Sequence, residues 1–169
     1  MVLLEQVGDL RRLGHLRLGA IGPGTARALA RSVTAGSTGS YRFDATLDGI
    51  DELQPGSFIF MDTDYLSIGG EDGGEAYRDF TPALSVVTTV VSVCGDEAIV
   101  DGGYKAMASD RPFPPVPVDR QDLSYTWAGD EHGRLDMRRA TRRLAVGDRL
   151  EFRAPHCDPT VNLYDVIHV

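Results

Sequence analysis

The chain has 169 residues, a formal net charge of −8, and 42% hydrophobic against 25% charged residues. That balance is ordinary for a folded domain and excludes a disordered chain, while no apolar run approaches the ~20 residues of a membrane-spanning helix. The acidic excess, with no long basic tract, argues against nucleic acid as a partner.

In chain order, the opening MVLLEQVGDLRRLGHLRLGA lacks the basic start, long apolar core and small-residue cleavage site of a secretory signal. Two cysteines, Cys94 and Cys157, make no disulfide framework, and a reducing cytoplasm is the expected setting. In GPGTARALARSVTAGSTGSY, Pro23 sits where a first helical turn accepts proline; TARALARS reads as a short helix and SVTA as a brief strand. GSTGS, residues 36–40, is a glycine-interrupted turn. A Pro55–Gly56 turn then leads into an expected strand over 57–61. The loop IGGEDGGEAYRD places a domain boundary, with residues 1–70 on its N-terminal side and residues 71–169 on its C-terminal side.

From there the pattern is β. ALSVVTTVVSV (83–93) is a long β-branched strand and EAIVDGG a second. DRPFPPVPVDRQD is a proline-rich loop, LSYTWAGDEHGRLDM two strands about a turn, GDRLEFRAPH a strand, and YDVIHV a last one. Short strands at this spacing predict a barrel or sandwich. The N-terminal segment has too few elements to close a sheet of its own. RRATRR (138–143) lies between acidic flanks and reads as a solvated face with local ion pairs.

Four motifs bear on chemistry. In PHCDP, extended backbone would send His156 and Asp158 to one face and Cys157 to the other. An imidazole with a carboxylate suits a divalent ion such as Mn²⁺, Zn²⁺ or Fe²⁺, completed by water or substrate; a buried His–Asp turn explains the same spacing. AGSTGSY could nest a phosphate on successive N–H groups, with the Thr38 and Ser40 hydroxyls as extra donors, or be a plain turn. AGDEHG reads as a polar hairpin tip around His132. DGGYKA ends in Lys105, the one lysine against 16 arginines. A Schiff-base role for it is conceivable, and a surface lysine is the simpler reading.

Taken together, VTAGSTGSY, ELQPGSFIFMDTDY, PALSVVTTVVS, AIVDGGYKAMASD, GDEHGRL and VGDRLEFRAPHCDPTVNLYD resemble, over about residues 21–169, the C-terminal portion of D-threonine aldolases and the related D-serine dehydratases. The resemblance implies a pyridoxal-phosphate enzyme of alanine-racemase-like fold. Residues 1–70 would be an α/β remnant, the last segments of a TIM-type barrel, and 71–169 an all-β barrel or sandwich domain. The family's phosphate turn is written GGGTGTY; here Gly36, Thr38 and Gly39 match it, while Ala35, Ser37 and Ser40 depart. The resemblance assigns phosphate binding to those three matching residues. It assigns a divalent metal, Mn²⁺ foremost with Zn²⁺ or Mg²⁺ as alternatives, to His156 and Asp158.

A carboxylate rather than a thiol at 158 favours the aldolase, which cleaves D-3-hydroxy amino acids to glycine and an aldehyde, over the dehydratase. The family's cofactor lysine lies after the first barrel strand and has no counterpart here, so the chain alone is expected to be inactive: a fragment, a truncated remnant or half of a split enzyme. A non-catalytic metal-binding β-module is the alternative. A homo-oligomer, or association through the unclosed barrel edge, is expected. No general base is identified.

Overall fold

The computed structural model describes residues 33–69 and 77–169, which fall into two units, Met1–Gly56 and Ser57–Val169. The expected helix TARALARS and the expected boundary at 70/71 lie outside the described residues.

In the first unit, Thr34–Ala35 (β1) runs parallel to Glu52–Leu53 (β2). Between them lie the turn at 38–40 and the short helix Tyr41–Asp44 (α1). Asp51 accepts the Val33 N–H at 3.0 Å and ties the entry of β1 to that of β2. Parallel pairing with an intervening helix is the α/β character expected of this segment.

The second unit is built on a nearly closed, barrel-like antiparallel sheet. Its strands are Val86–Cys94 (β3), Glu97–Val100 (β4), Val116–Pro117 (β5), Ser124–Trp127 (β6), Gly133–Asp136 (β7) and Arg149–Arg153 (β8). The order is β5-β8-β3-β4-β7-β6. The nine-residue β3 joins the two halves: 86–89 pair with β8 and 90–94 with β4, with a register shift between Val90 and Ser92. Such a bulge bends and twists a strand, which helps a sheet curl toward closure. Pro117 cannot donate to a ladder and accordingly sits in an edge strand.

Alternation puts Val86, Val90, Val100, Leu135, Leu150 and Phe152 inside, with Tyr125, Met107 and Met137 filling between them. Phe152 is wholly buried and meets the Tyr125 ring edge-on, centroids 5.5 Å apart. Gly133 is required here, because a β-carbon would fall inside the Tyr125 ring. Gly103 is held likewise against the backbone of 129–132, the hairpin tip, with Tyr104 stacked on Trp127 at 4.8 Å.

Two expected strands are absent. Residues 57–59 form a 3₁₀ turn, Ser57–Ile59, in which the Phe60 and Met61 N–H groups both return to the Ser57 carbonyl. A short apolar run has no helix-or-strand identity of its own, and here the turn leads to Met61, buried with φ +54°. YDVIHV, the other, pairs with no strand among the described residues; the backbone leaves the helix Cys157–Val161 (α3) through Asn162 and runs on irregularly. Among the described residues, no helix is long and apolar enough to cross a membrane.

Of the arginine cluster, Arg138 bonds Asp136, Arg143 bonds Asp96 at 2.6 Å, and Arg142 lies 3.8 Å from Asp148. The local pairing expected of that stretch is present.

Candidate metal centre

Strand β8 delivers the chain through Ala154 and Pro155, both buried, to His156. His156 is extended (φ −142°, ψ 120°) and caps α3, so the backbone turns helical at Cys157. The extended PHCDP expected from sequence is therefore corrected: His156 and Asp158 come together across a helix start, not along a strand. Pro159 falls in the first helical turn, where its missing N–H costs no helical bond.

Three elements from elsewhere hold this turn. The first is Thr63–Leu66 (α2), capped by Asp62, whose Oδ1 accepts the Tyr65 N–H at 2.8 Å. Asp62 Oδ2 accepts the Cys157 N–H at 2.7 Å, so one wholly buried carboxylate serves the N-termini of two helices. Thr63 and Asp64 N–H groups also donate to the carbonyls of Ala154 and Pro155. The second is the loop after β4: the Ala108 N–H donates to Thr160 Oγ1, which donates to the His156 carbonyl at 2.7 Å. The third is the 3₁₀ turn, whose buried Ser57 donates to Asp158 Oδ2 at 2.9 Å.

Within that frame His156 Nε2 stands 3.3 Å from Asp158 Oδ2, and His156 Nδ1 stands 2.7 Å from Asp110 Oδ2. Arg111 Nε reaches Asp64 at 3.0 Å and Asp110 at 3.8 Å. Desolvation works to raise the Asp110 pKa, but the bond to His156 and the neighbouring positive charge outweigh it and hold it down. The His156 side chain is only 13% exposed, against 60% for Asp158. Cys157 is fully buried, and burial, reinforced by the Asp62 charge, pushes its thiol up to about 12. Its Sγ lies 3.9 Å from Asp158 Oδ1, so the expectation that the thiol points away from the pair is corrected: the helix start brings it against the same carboxylate.

The donor atoms fit a divalent cation. With metal–ligand bonds of ~2.1 Å, two ligands are about 3.0 Å apart at a right angle and about 3.4 Å apart at a tetrahedral one. The observed 3.3 Å lies between. Among the described residues, no group of three or more histidine, cysteine, aspartate or glutamate side chains converges for a metal. The pair would therefore supply two adjacent donors at most, with the remaining positions left to water or substrate.

The turn AGSTGSY stands in the first unit. Gly36 is left-handed, φ +98°, and a β-carbon there would press on Asp44 and Leu53. Thr38 is buried. The Ser40 hydroxyl, expected as an extra phosphate donor, is 2.6 Å from Asp44 Oδ2 and donates to it, and the Ser37 N–H donates to Ser40 Oγ. The Ser40 N–H donates in turn to the Ser37 carbonyl, so the Ser37 and Ser40 amides and the Ser40 hydroxyl are all engaged within the segment. Lys105 lies in the other unit, exposed and paired with Glu131 and Asp130 at the hairpin tip. The Glu131 hydrogen bond raises its pKa and favours the charged ammonium. Lys105 does not fit a cofactor imine, and His132 is exposed on the same tip.

The model of the "Putative serine dehydratase domain" matches residues 83–169, more than half of the chain. The chain belongs to this family. The chain is 38% identical over 135 residues to a 3-hydroxy-D-aspartate aldolase of Paracoccus denitrificans, covering 79% of this chain and 34% of the relative. It superposes on the crystal structure of D-threonine aldolase from Filomicrobium marinum with a TM-score of 0.71 and 33% identity, over 84% of this chain and 38% of that one. A D-threo-3-hydroxyaspartate dehydratase from Delftia sp. follows, with a TM-score of 0.62 and 26% identity, over 83% and 42%. The chain spans about a third of the length of the curated relative. The family expected from sequence, and the β-domain architecture with it, are thereby shown; the relatives are lyases of D-amino acids by their names.

Sequence reasoning named His156 and Asp158 and missed Ser57, Asp62 and Asp110. Ser57 stood inside an expected strand, and Asp110 inside a proline-rich loop. Neither has a spacing relation to PHCDP, so only the tertiary structure reveals them.

Proposed function

We propose that residues 57–169 are the metal-holding module of a lyase acting on D-3-hydroxy amino acids, with His156 Nε2 and Asp158 Oδ2 as the protein ligands. The observation that carries this reading is the 3.3 Å approach of those two atoms in a half-buried, doubly braced turn. A bound divalent cation would supply Lewis-acid polarisation of an alcohol oxygen. This chain's residues do the rest of what can be assigned to it. His156 and Asp158 would hold the ion, leaving water or substrate to complete its coordination. Ser57 keeps Asp158 turned toward the imidazole, and Asp62 fixes the helix start that sets their spacing.

We further propose aldol cleavage over dehydration, because the second ligand is the carboxylate of Asp158, the form that the resemblance associates with aldolases. Pyridoxal phosphate belongs to this reading only in part. Gly36, Thr38 and Gly39 are its phosphate-side candidates, and Lys105, tied to Glu131 and Asp130 at the hairpin tip, is not its imine lysine.

Metal analysis of the purified chain against His156→Ala tests the ligand pair. The native chain is expected to retain Mn²⁺ or Zn²⁺ after dialysis and the variant to lose it. Equal metal content in both would refute the assignment.

A further inference from the structure

His156 carries a carboxylate on each ring nitrogen, and the two contacts are unequal. Asp110 lies 2.7 Å from Nδ1, a full hydrogen bond, while Asp158 lies 3.3 Å from Nε2. A neutral imidazole has one N–H to give. Placed at Nδ1 it satisfies Asp110 and leaves the Nε2 lone pair facing a carboxylate oxygen. Two electron-rich atoms at that distance repel in an empty site, and a cation between them turns the repulsion into attraction.

Asp110 is held in place for this contact. Two residues before it, the Ala108 N–H is tied through Thr160 Oγ1 to the carbonyl of His156 itself. One residue after it, Arg111 is anchored on Asp64 of α2 at 3.0 Å. The loop carrying Asp110 is therefore fastened on both sides to the elements that carry the histidine.

We propose that Asp110 is a positioning residue: it fixes His156 as the Nδ1–H tautomer and so makes Nε2 the metal donor. Carboxylates behind ligating histidines commonly do this, raising the basicity of the ligand and freezing its ring. The inference rests on the metal reading above, and two measurements keep the two separable.

The first is ¹⁵N NMR of the imidazole in histidine-labelled, chelator-stripped protein. The native chain should show His156 protonated at Nδ1, and Asp110→Ala should move the proton toward Nε2. The second is calorimetric titration with Mn²⁺ or Zn²⁺ alone. Asp110→Ala should bind roughly 10- to 100-fold more weakly. Asp110→Asn, whose carbonyl still accepts from Nδ1, should keep the tautomer and stay within roughly threefold of native, at the mild end of that scale. If the native chain binds metal and Asp110→Ala binds it equally well, or if the ring is protonated at Nε2 in the native chain, the inference fails alone. If the native chain binds no metal, the functional reading fails and takes the inference with it.

Discussion

The carboxylate of Asp62 accepts the backbone N–H of Cys157 at 2.7 Å across 95 residues of sequence, while its other oxygen caps α2 through Tyr65. Losing a cap costs about 1 kcal/mol, and leaving a buried amide without an acceptor costs about 1–3 more. Asp62→Ala is therefore expected to lower the unfolding free energy by about 2–4 kcal/mol, read by urea denaturation. Asp62→Asn, which keeps one acceptor oxygen, should cost less. Equal stability of native and Asp62→Ala would mean that the two helix starts are held by something else.

Ser57 is a gentler test of the same turn. Its hydroxyl gives Asp158 one hydrogen bond, so Ser57→Ala should weaken Mn²⁺ binding about tenfold, the low end for an outer partner of a ligand. The far-ultraviolet circular dichroism should be unchanged. A variant that binds as tightly as native would show that Asp158 needs no brace.

Lys105 should not form an imine. Held by Glu131 and Asp130 with its pKa raised, it stays a charged ammonium. Mixing the chain with pyridoxal phosphate should give no protein-dependent absorbance band that Lys105→Ala removes. A stoichiometric band lost in that variant would overturn the assignment of the lysine to the surface.

The two cysteines should differ sharply toward a disulfide reagent. Cys94 is exposed at the end of β3; Cys157 is buried, with its thiol pushed up to about 12. Only the thiolate attacks, so near pH 8 the native protein should yield one fast thiol per chain, and two in denaturant. Two fast thiols in the native protein would mean that the start of α3 opens readily.

Stability should fall on acidification in a defined window. Asp122 accepts from Arg120 and from both the N–H and hydroxyl of Thr141, which holds its carboxyl well below the usual range. Arg138 draws Asp136 down to about 2. A carboxylate whose folded pKa is depressed stabilises fully above its unfolded value of about 3.9 and loses that contribution as pH falls through the folded one. Urea midpoints should thus be level above about pH 5 and drop from about pH 4 downward. Asp122→Asn should flatten the drop; Asp136 is more open to solvent and should contribute less. An unchanged slope in Asp122→Asn would assign the acid lability to other carboxylates.

What could be read in the sequence follows from how local the determinants are. The β-branched run of β3 and the hairpin β6–β7 announce themselves through alternation and turn residues, and both form. YDVIHV has the same apolar alternation, yet a strand needs a neighbour to bond, and the described residues offer it none. The 57–61 segment departs from its expected strand for a related reason: Ser57 turns inward to meet Asp158, a partner 101 residues away. His156 and Asp158 are legible because the two ligands lie within one short motif. Their supports are not, because Ser57 and Asp62 arrive from one distant stretch and Asp110 from another.

That separation says something about the short segment running from Pro155 to Pro159. Cut out as a free peptide, it would keep its imidazole and its carboxylate but none of the three distant anchors, and the side chains would sample many mutual arrangements. Whatever ion chemistry resides there belongs to the assembled domain and should vanish cooperatively with it, making a bound cation a spectroscopic witness of the intact tertiary structure.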